Sequence, residues 1–268
     1  KIKKEKHHLK NYFIRRAFRI LPLFYIVCIY QLVFYKYELL EIIGTLTLTN
    51  GYMPEHIQGI VGGGWSIAIE TSFYLLIPFL FKYIRSLRDS VIFVVAAVVF
   101  SIISRYLVFA ILGNTYPHDI LLDWVYYWLP NQLPVFGLGI FLYFLFFQSD
   151  IADLQNSKFA KQFSYLLLMI SIYFFVVSCF SKRLFVFENF GRSIPLMLFI
   201  ISLAIYQKNK FNNRIMQFYG KISYSFYLLH LIVISWIPES FLRFINDSLG
   251  VDFGFFASYV IILIPATI

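Results

Sequence analysis

The chain has 268 residues, of which 60% are apolar, 21% aromatic and only 14% charged, with a mean hydropathy of +0.72. Soluble domains carry about a quarter charged residues, and their helices keep a polar face, so this composition excludes a water-soluble domain and describes an all-α, polytopic transmembrane helix bundle. The net charge of +9 does not make it a nucleic-acid binder, which would need a soluble basic face set with aromatic platforms.

The amino-terminal stretch KIKKEKHHLKNYFIRR is basic and leads into a full-length apolar run near 18–35. It lacks the short apolar core and small-residue cleavage site of a secretory signal. The chain begins on Lys1 and stops inside the apolar run YVIILIPATI, so it reads as one integral-membrane domain over 1–268, truncated at both ends. Arg16 and Arg19 are three apart and share one face of the entering helix. They suit two uses that spacing does not separate, anchoring to anionic lipid heads or gripping phosphates with the guanidinium fork.

A hydrocarbon core of about 30 Å needs about 20 apolar residues. Further spans fit near 65–82, 91–112, 132–148, 163–181, 193–206, 222–238 and 254–268, making about eight crossings. Leu39 to Asn50 is too short and too flanked by acids to cross, and is expected to be interfacial or re-entrant. QSDIADLQNSKFAKQ, residues 148–162, reads as a short amphipathic loop. Alternating the loops across the bilayer puts 17 Lys and Arg on the side of the basic start and 5 on the other. By the positive-inside rule the start is cytoplasmic; SKRLFVFENFGR, with three basic residues on the outer side, is the exception.

Ionisable groups inside a membrane are costly and are functional candidates by default. Glu70 lies five residues below the interfacial Trp65, roughly 7–8 Å deep, and Arg105 lies seven residues before the outer end of its span, roughly 10 Å deep. The matching depths predict an ion pair facing the bundle interior. It either fastens two helices or lets the acid orient a catalytic base or a substrate hydroxyl. Gly62, Gly63 and Gly64 just before it permit close backbone approach at a substrate mouth.

His230, in KISYSFYLLHLIVISW, is the only histidine well inside a span, with Tyr224 and Tyr227 at helical spacing on one side. Such a residue is more often a hydrogen-bonded core group than a catalyst. His7, His8, His56 and His118 fall in polar segments. Cys28 and Cys179 sit in apolar windows as small buried hydrophobes, and no Cys/His/Asp grouping has metal-ligand spacing, so no metal is expected.

Four stretches, in order, carry a resemblance to the membrane-bound acyltransferase 3 family. FIRRAFRILPLFY resembles its Arg-x-x-Arg-Ile-x-Pro-x-Tyr segment, and GGGWSIAIETSFYLLIPFL its Trp-Ser-Leu-x-Val-Glu-Glu-x-Phe-Tyr segment. NQLPVFGLGIFLYF is similar to its Leu-Pro-x-Phe-x-x-Gly segment, and GKISYSFYLLHLIVI to its Gly-x-Ile-Ser-Tyr-x-x-Tyr-x-x-His segment. The resemblance reaches from about residue 11 to 235. It implies an O-acyltransferase, multi-pass in a bacterial cell membrane, that moves an acyl group, usually acetyl, from cytoplasmic acyl-CoA to a sugar hydroxyl of a surface glycan or lipid-linked sugar.

Arg16 and Arg19 match the arginines that contact the donor's phosphates. Glu70 matches the first acid of the Glu-Glu pair, whose second position here is Thr71. Trp65, Ser66, Phe73 and Tyr74 match the rest of that segment, with Trp65, Ser66, Tyr74 and Arg105 expected around the substrate cavity, and His230 matches the late histidine. The resemblance also implies a catalytic histidine in a helix upstream of the arginines. His7 and His8 lie in the basic lead-in and not in a span, so neither takes that role, and in a truncated chain the expected base belongs to the missing part. Glu70 and the late His230 are the catalytic candidates among the residues of this sequence. A thioester is already activated, so a base for the hydroxyl and donors for the oxyanion suffice without a metal. The rival readings are a transporter or flippase of lipid-linked glycans, which would commonly show paired halves with interrupted helices, and a noncatalytic relative.

Overall fold

The computed structural model describes residues 8–148, 155–180, 188–206 and 213–236, with 238 and 240. Among them all the regular elements are helical: α1 His8–Phe34, α2 Leu39–Leu46, a 3-10 turn Asn50–Tyr52, α3 Gly64–Tyr83, α4 Leu87–Leu112, α5 His118–Tyr127, α6 Leu129–Gln148, α7 Ala160–Phe180, α8 Glu188–Ile205 and α9 Arg214–Trp236. Five stretches are long and apolar enough to cross a bilayer: Leu9–Phe34, Gly64–Tyr83, Leu87–Leu112, His118–Gln148 and Ala160–Ser178. They take up the first five expected spans. The sixth falls on α8, whose 18 residues rise about 27 Å, and the seventh on α9. The eighth, 254–268, lies outside the described residues, as do 149–154 of the expected loop.

Several boundaries differ from the sequence reading, two of them for a physical reason that the residues show. Helix α1 begins at His8, ten residues before the apolar run, because Lys, Arg and Asn continue a helix that lipid contact does not yet require. Helix α4 begins at Leu87, where Ser86 Oγ accepts from Asp89 N and the Asp89 carboxylate accepts from Ser86 N, a reciprocal cap that starts the helix in polar sequence.

The chain forms two compact units. The first combines Lys1–Leu46, Gln58–Gly64 and Asn213–Ile268. In it α1 buries Tyr12, Ile20, Phe24, Val27 and Cys28, which with half-buried Arg16 fall at the helical spacing of one face, turn by turn. Helix α9 lies along α1. The Tyr224 hydroxyl donates to Ile20 O at 2.7 Å, two residues before Pro22, and Trp236 Nε1 donates to the Tyr30 hydroxyl at 2.7 Å. Both numbers climb together, so the helices run parallel, the sense that an odd number of intervening crossings requires. The Tyr25 hydroxyl donates to Leu46 O at the end of α2, and fully buried Thr45 accepts from Ile60 N, pinning the loop before α3.

The second unit combines Thr47–Ile57 and Trp65–Asn212. Helices α3 and α6 run parallel, with Phe73 stacked on Phe136 at 4.0 Å and Phe81 near Phe144 at 6.1 Å. Helix α4 is antiparallel to α6, joined where the Ser101 hydroxyl donates to Asn131 Oδ1 at 3.1 Å. Helices α7 and α8 are antiparallel and stitched by hydroxyls: Ser164 and Ser202 each donate to the other's carbonyl, and Ser171 donates to Pro195 O. In lipid there is no hydrophobic drive between helices, so small hydroxyl residues supply close approach and bonds.

Candidate functional site

Helix α3 carries the acid. Ile67, Ala68, Ile69 and Phe73 are buried, while Ser66, Glu70 and Tyr74, four residues apart, form a half-buried polar stripe beside them. The Tyr74 hydroxyl donates to Glu70 Oε1, so the carboxylate is held by its own helix one turn on. Trp65 is also half-buried, its ring 4.5 Å from that of Tyr127. Thr71, where the resemblance leads to a second acid, is half-buried too.

The expected ion pair is corrected by the structure. Arg105 is exposed on α4, and among the described residues no ion pair joins it to Glu70. Its position roughly 10 Å from the end of α4 lets a long aliphatic stem carry the guanidinium toward the headgroups, so it needs no buried counter-charge. Counting residues gave each side chain's distance from a helix end, but neither the register of the helices nor the direction each side chain takes around its helix. The charge swap Glu70→Arg with Arg105→Glu is therefore expected to be as impaired in acyl transfer as Glu70→Arg alone; rescue by the swap would restore the pairing.

The first unit holds the other candidates. Gly63 has φ of +72°, and the Tyr227 hydroxyl donates to its carbonyl at 3.0 Å. A Cβ on Gly63 would meet that hydroxyl at 2.6 Å. Of the three glycines, Gly63 is thus fixed by backbone conformation and by close approach together. His230, half-buried, has Nδ1 3.2 Å from Phe226 O, its ring stacked on Phe226 and 5.8 Å from Tyr227. A carbonyl only accepts, so Nδ1 carries a proton, and the Nδ1–H tautomer is the one that presents a lone pair at Nε2. The two motif tyrosines, Tyr224 and Tyr227, hold backbone carbonyls. On α1, Arg16 is half-buried with its guanidinium 5.7 Å from the Tyr12 ring, and Arg19 is exposed. They occupy adjacent turns, but only Arg16 lies on the buried stripe.

Sequence reading missed the break between α5 and α6. His118–Tyr127 is helical and not an irregular connection before the span expected from 132, and it opens a 31-residue apolar stretch, interrupted at Trp128, whose ψ is 164°. The cause is legible in hindsight: a helix would bond Tyr126 O to the N–H of residue 130, and that residue is proline. Three side-chain amides fill the orphaned carbonyl, Asn131 Nδ2 at 2.8 Å, Gln132 Nε2 at 3.0 Å and Asn189 Nδ2 at 2.9 Å. Beside it Trp124, its ring 4.9 Å from Trp128, donates to Gly51 O at 3.2 Å. Among the described residues no group of three His, Cys, Asp or Glu is placed to hold a metal ion.

The family model described as "Acyltransferase domain" matches residues 3–268. A protein of Acidianus two-tailed virus named "Putative acetyltransferase ORF330" is 25% identical over 258 residues, covering 92% of this chain and 71% of the viral one. No solved structure matches the chain.

Proposed function

Because the chain belongs to the acyltransferase 3 family, we propose that it transfers an acyl group, acetyl foremost, from cytoplasmic acyl-CoA to a hydroxyl of a surface glycan or lipid-linked sugar. The observation that carries this reading is the polar stripe Ser66, Glu70 and Tyr74 along a helix that is otherwise built for lipid. A membrane helix that only spans has no use for a carboxylate at that depth.

In the reaction the sugar oxygen attacks the thioester carbonyl carbon, its proton passes to a base, and the carbon–sulfur bond breaks to release CoA as thiol. Glu70 orients the acceptor hydroxyl, and Tyr74 keeps the carboxylate from swinging. His230 offers Nε2 as a proton acceptor, its tautomer set by the Phe226 carbonyl. The basic start of α1 faces the cytoplasm in the cell membrane, where Arg16 and Arg19 hold the donor's phosphates. Lys221 and Arg214 on the parallel helix α9 lie toward the same end, adding charge that favours a polyanionic donor.

Two measurements test the reading. Labelled acyl groups should pass from acyl-CoA to glycan; movement of a lipid-linked sugar without CoA release would favour a transporter, to which the interrupted α5–α6 stretch also lends itself. Arg16→Ala with Arg19→Ala is expected to raise the donor KM at least about tenfold, as lost charge-assisted bonds of about 1.5–3 kcal/mol predict, with kcat little changed. An unchanged KM would assign the arginines to lipid anchoring.

A further inference from the structure

We propose that the break between α5 and α6 is the seat of the acceptor sugar, gripped by the amides of Gln132 and Asn189 against the rings of Trp65 and Tyr127. This rests on the acyl-transfer reading above and names where its acceptor sits.

The Tyr126 carbonyl has two lone pairs and three amide donors within 3.0 Å. Two would satisfy it, so one donor is in excess of what the broken helix needs. The excess is not matched on the acceptor side. Asn131 Oδ1 takes the Ser101 hydroxyl, but Gln132 Oε1 and Asn189 Oδ1 receive no bond from the described residues, and both side chains are half-buried. The neighbourhood shows the same surplus. Trp128 Nε1 and Asn50 Oδ1 are buried without a hydrogen-bond partner, and Trp124 links them, touching Trp128 by its ring and Gly51 by its indole N–H. Buried polar groups are ordinarily paired, so a cluster with unmatched donors and acceptors is built for something that brings both.

A hydroxyl both donates and accepts, and a pyranose presents several on a ring with apolar C–H faces. The converging side chains are neutral amides, which fit hydroxyls better than phosphate. Trp65 and Tyr127 are half-buried with their rings 4.5 Å apart, and Tyr126 meets Tyr127 edge-on at 4.8 Å, giving the apolar surface that C–H faces need. Depth agrees as well. Irregular backbone within a membrane is tolerated where it is enclosed by protein or lines a watered cavity, and this break sits beside Ser101, near the middle of α4. The pairing of Phe73 with Phe136 and of Phe81 with Phe144 puts Glu70 level with Leu133, next to Gln132, so a sugar held by the Gln132 amide lies within about a turn of the depth of the acid.

The test uses the full chain in lipid nanodiscs, free of sugar-based detergent, titrated with the methyl glycosides of glucose, galactose, mannose and rhamnose while tryptophan fluorescence is followed. Acetyl-CoA binding is measured in parallel by calorimetry. At least one glycoside is expected to quench saturably, with Gln132→Ala and Asn189→Ala each weakening it tenfold or more at unchanged acetyl-CoA affinity. If Asn189→Ala melts early, Gln132→Ala decides, because its loss still leaves Tyr126 O with two donors. Saturable quenching that both variants retain overturns the seat. A flat response to all four glycosides with acetyl-CoA still bound also overturns it and leaves acyl transfer standing, whereas loss of both bindings in the wild type counts against acyl transfer itself.

Discussion

Glu70→Gln is expected to lower acyl transfer at least about 100-fold while leaving the protein in the membrane at normal levels. The substitution keeps the volume of the side chain and keeps an oxygen for the Tyr74 hydroxyl, so the bond along α3 survives and the fold has no reason to change. What is lost is the negative charge. Misplacing a reacting hydroxyl by about 1 Å can cost about 10²-fold, and the loss should appear in kcat with the donor KM unmoved, since the phosphate-holding arginines lie on α1. Tyr74→Phe is expected to have a smaller effect, several-fold, because it frees the carboxylate to rotate without removing it. The measurement is transfer of labelled acetyl from acetyl-CoA to membrane glycan, alongside quantitation of each variant in the membrane. Normal transfer by Glu70→Gln would take Glu70 out of the site.

Much of this arrangement could be read from residues alone, and the failures have particular causes. The all-helical class followed from composition, because lipid leaves helices or closed barrels as the spanning structures and the apolar runs here are far longer than strands. Glu70 was legible as a costly carboxylate in an apolar run, whereas its sharing a half-buried stripe with Ser66 and Tyr74 came with the structure. The pairing of Glu70 with Arg105 was not, since depth along a helix can be counted from sequence while azimuth depends on which neighbours pack where; α4 turns Ser101, Ser104 and Val108 inward and Arg105 out.

The roles of Tyr224 and Tyr227 show the same limit. Their spacing relative to His230 was visible, but their partners, Ile20 and Gly63, lie more than 160 residues away in the chain, beyond any local pattern. The α5–α6 break was the opposite case. Its signal, Pro130 four residues after Tyr126 with Asn131 and Gln132 next to it, is local, and hydropathy passes over it because Trp, Tyr and Pro score as neither apolar nor charged.

Gly63→Ala is expected to destabilise the protein by about 2–3 kcal/mol, and two separate effects add to that figure. An L-residue in the left-handed region costs about 1–2 kcal/mol. The new Cβ would also lie 2.6 Å from the Tyr227 hydroxyl and 3.1 Å from its ring carbon, so the ring must move and its bond to Gly63 O, worth about 1 kcal/mol net, is broken. Tyr227 packs against His230, so the displacement should reach the imidazole and lower transfer along with the melting temperature.

The double variant Gly63→Ala with Tyr227→Phe separates the two effects. Removing the hydroxyl relieves the nearer clash and leaves mainly the backbone cost, so the pair should be less destabilised than the sum of the single variants, as residues in contact require. Strict additivity in thermal unfolding would show that the close approach is not there. Gly139 supplies the control: it lies inside α6 with nothing within 4 Å of a built Cβ, so Gly139→Ala is expected to stabilise by about 0.5–1 kcal/mol. The same substitution thus has opposite signs at two glycines, and the sign is set by φ and by what stands opposite.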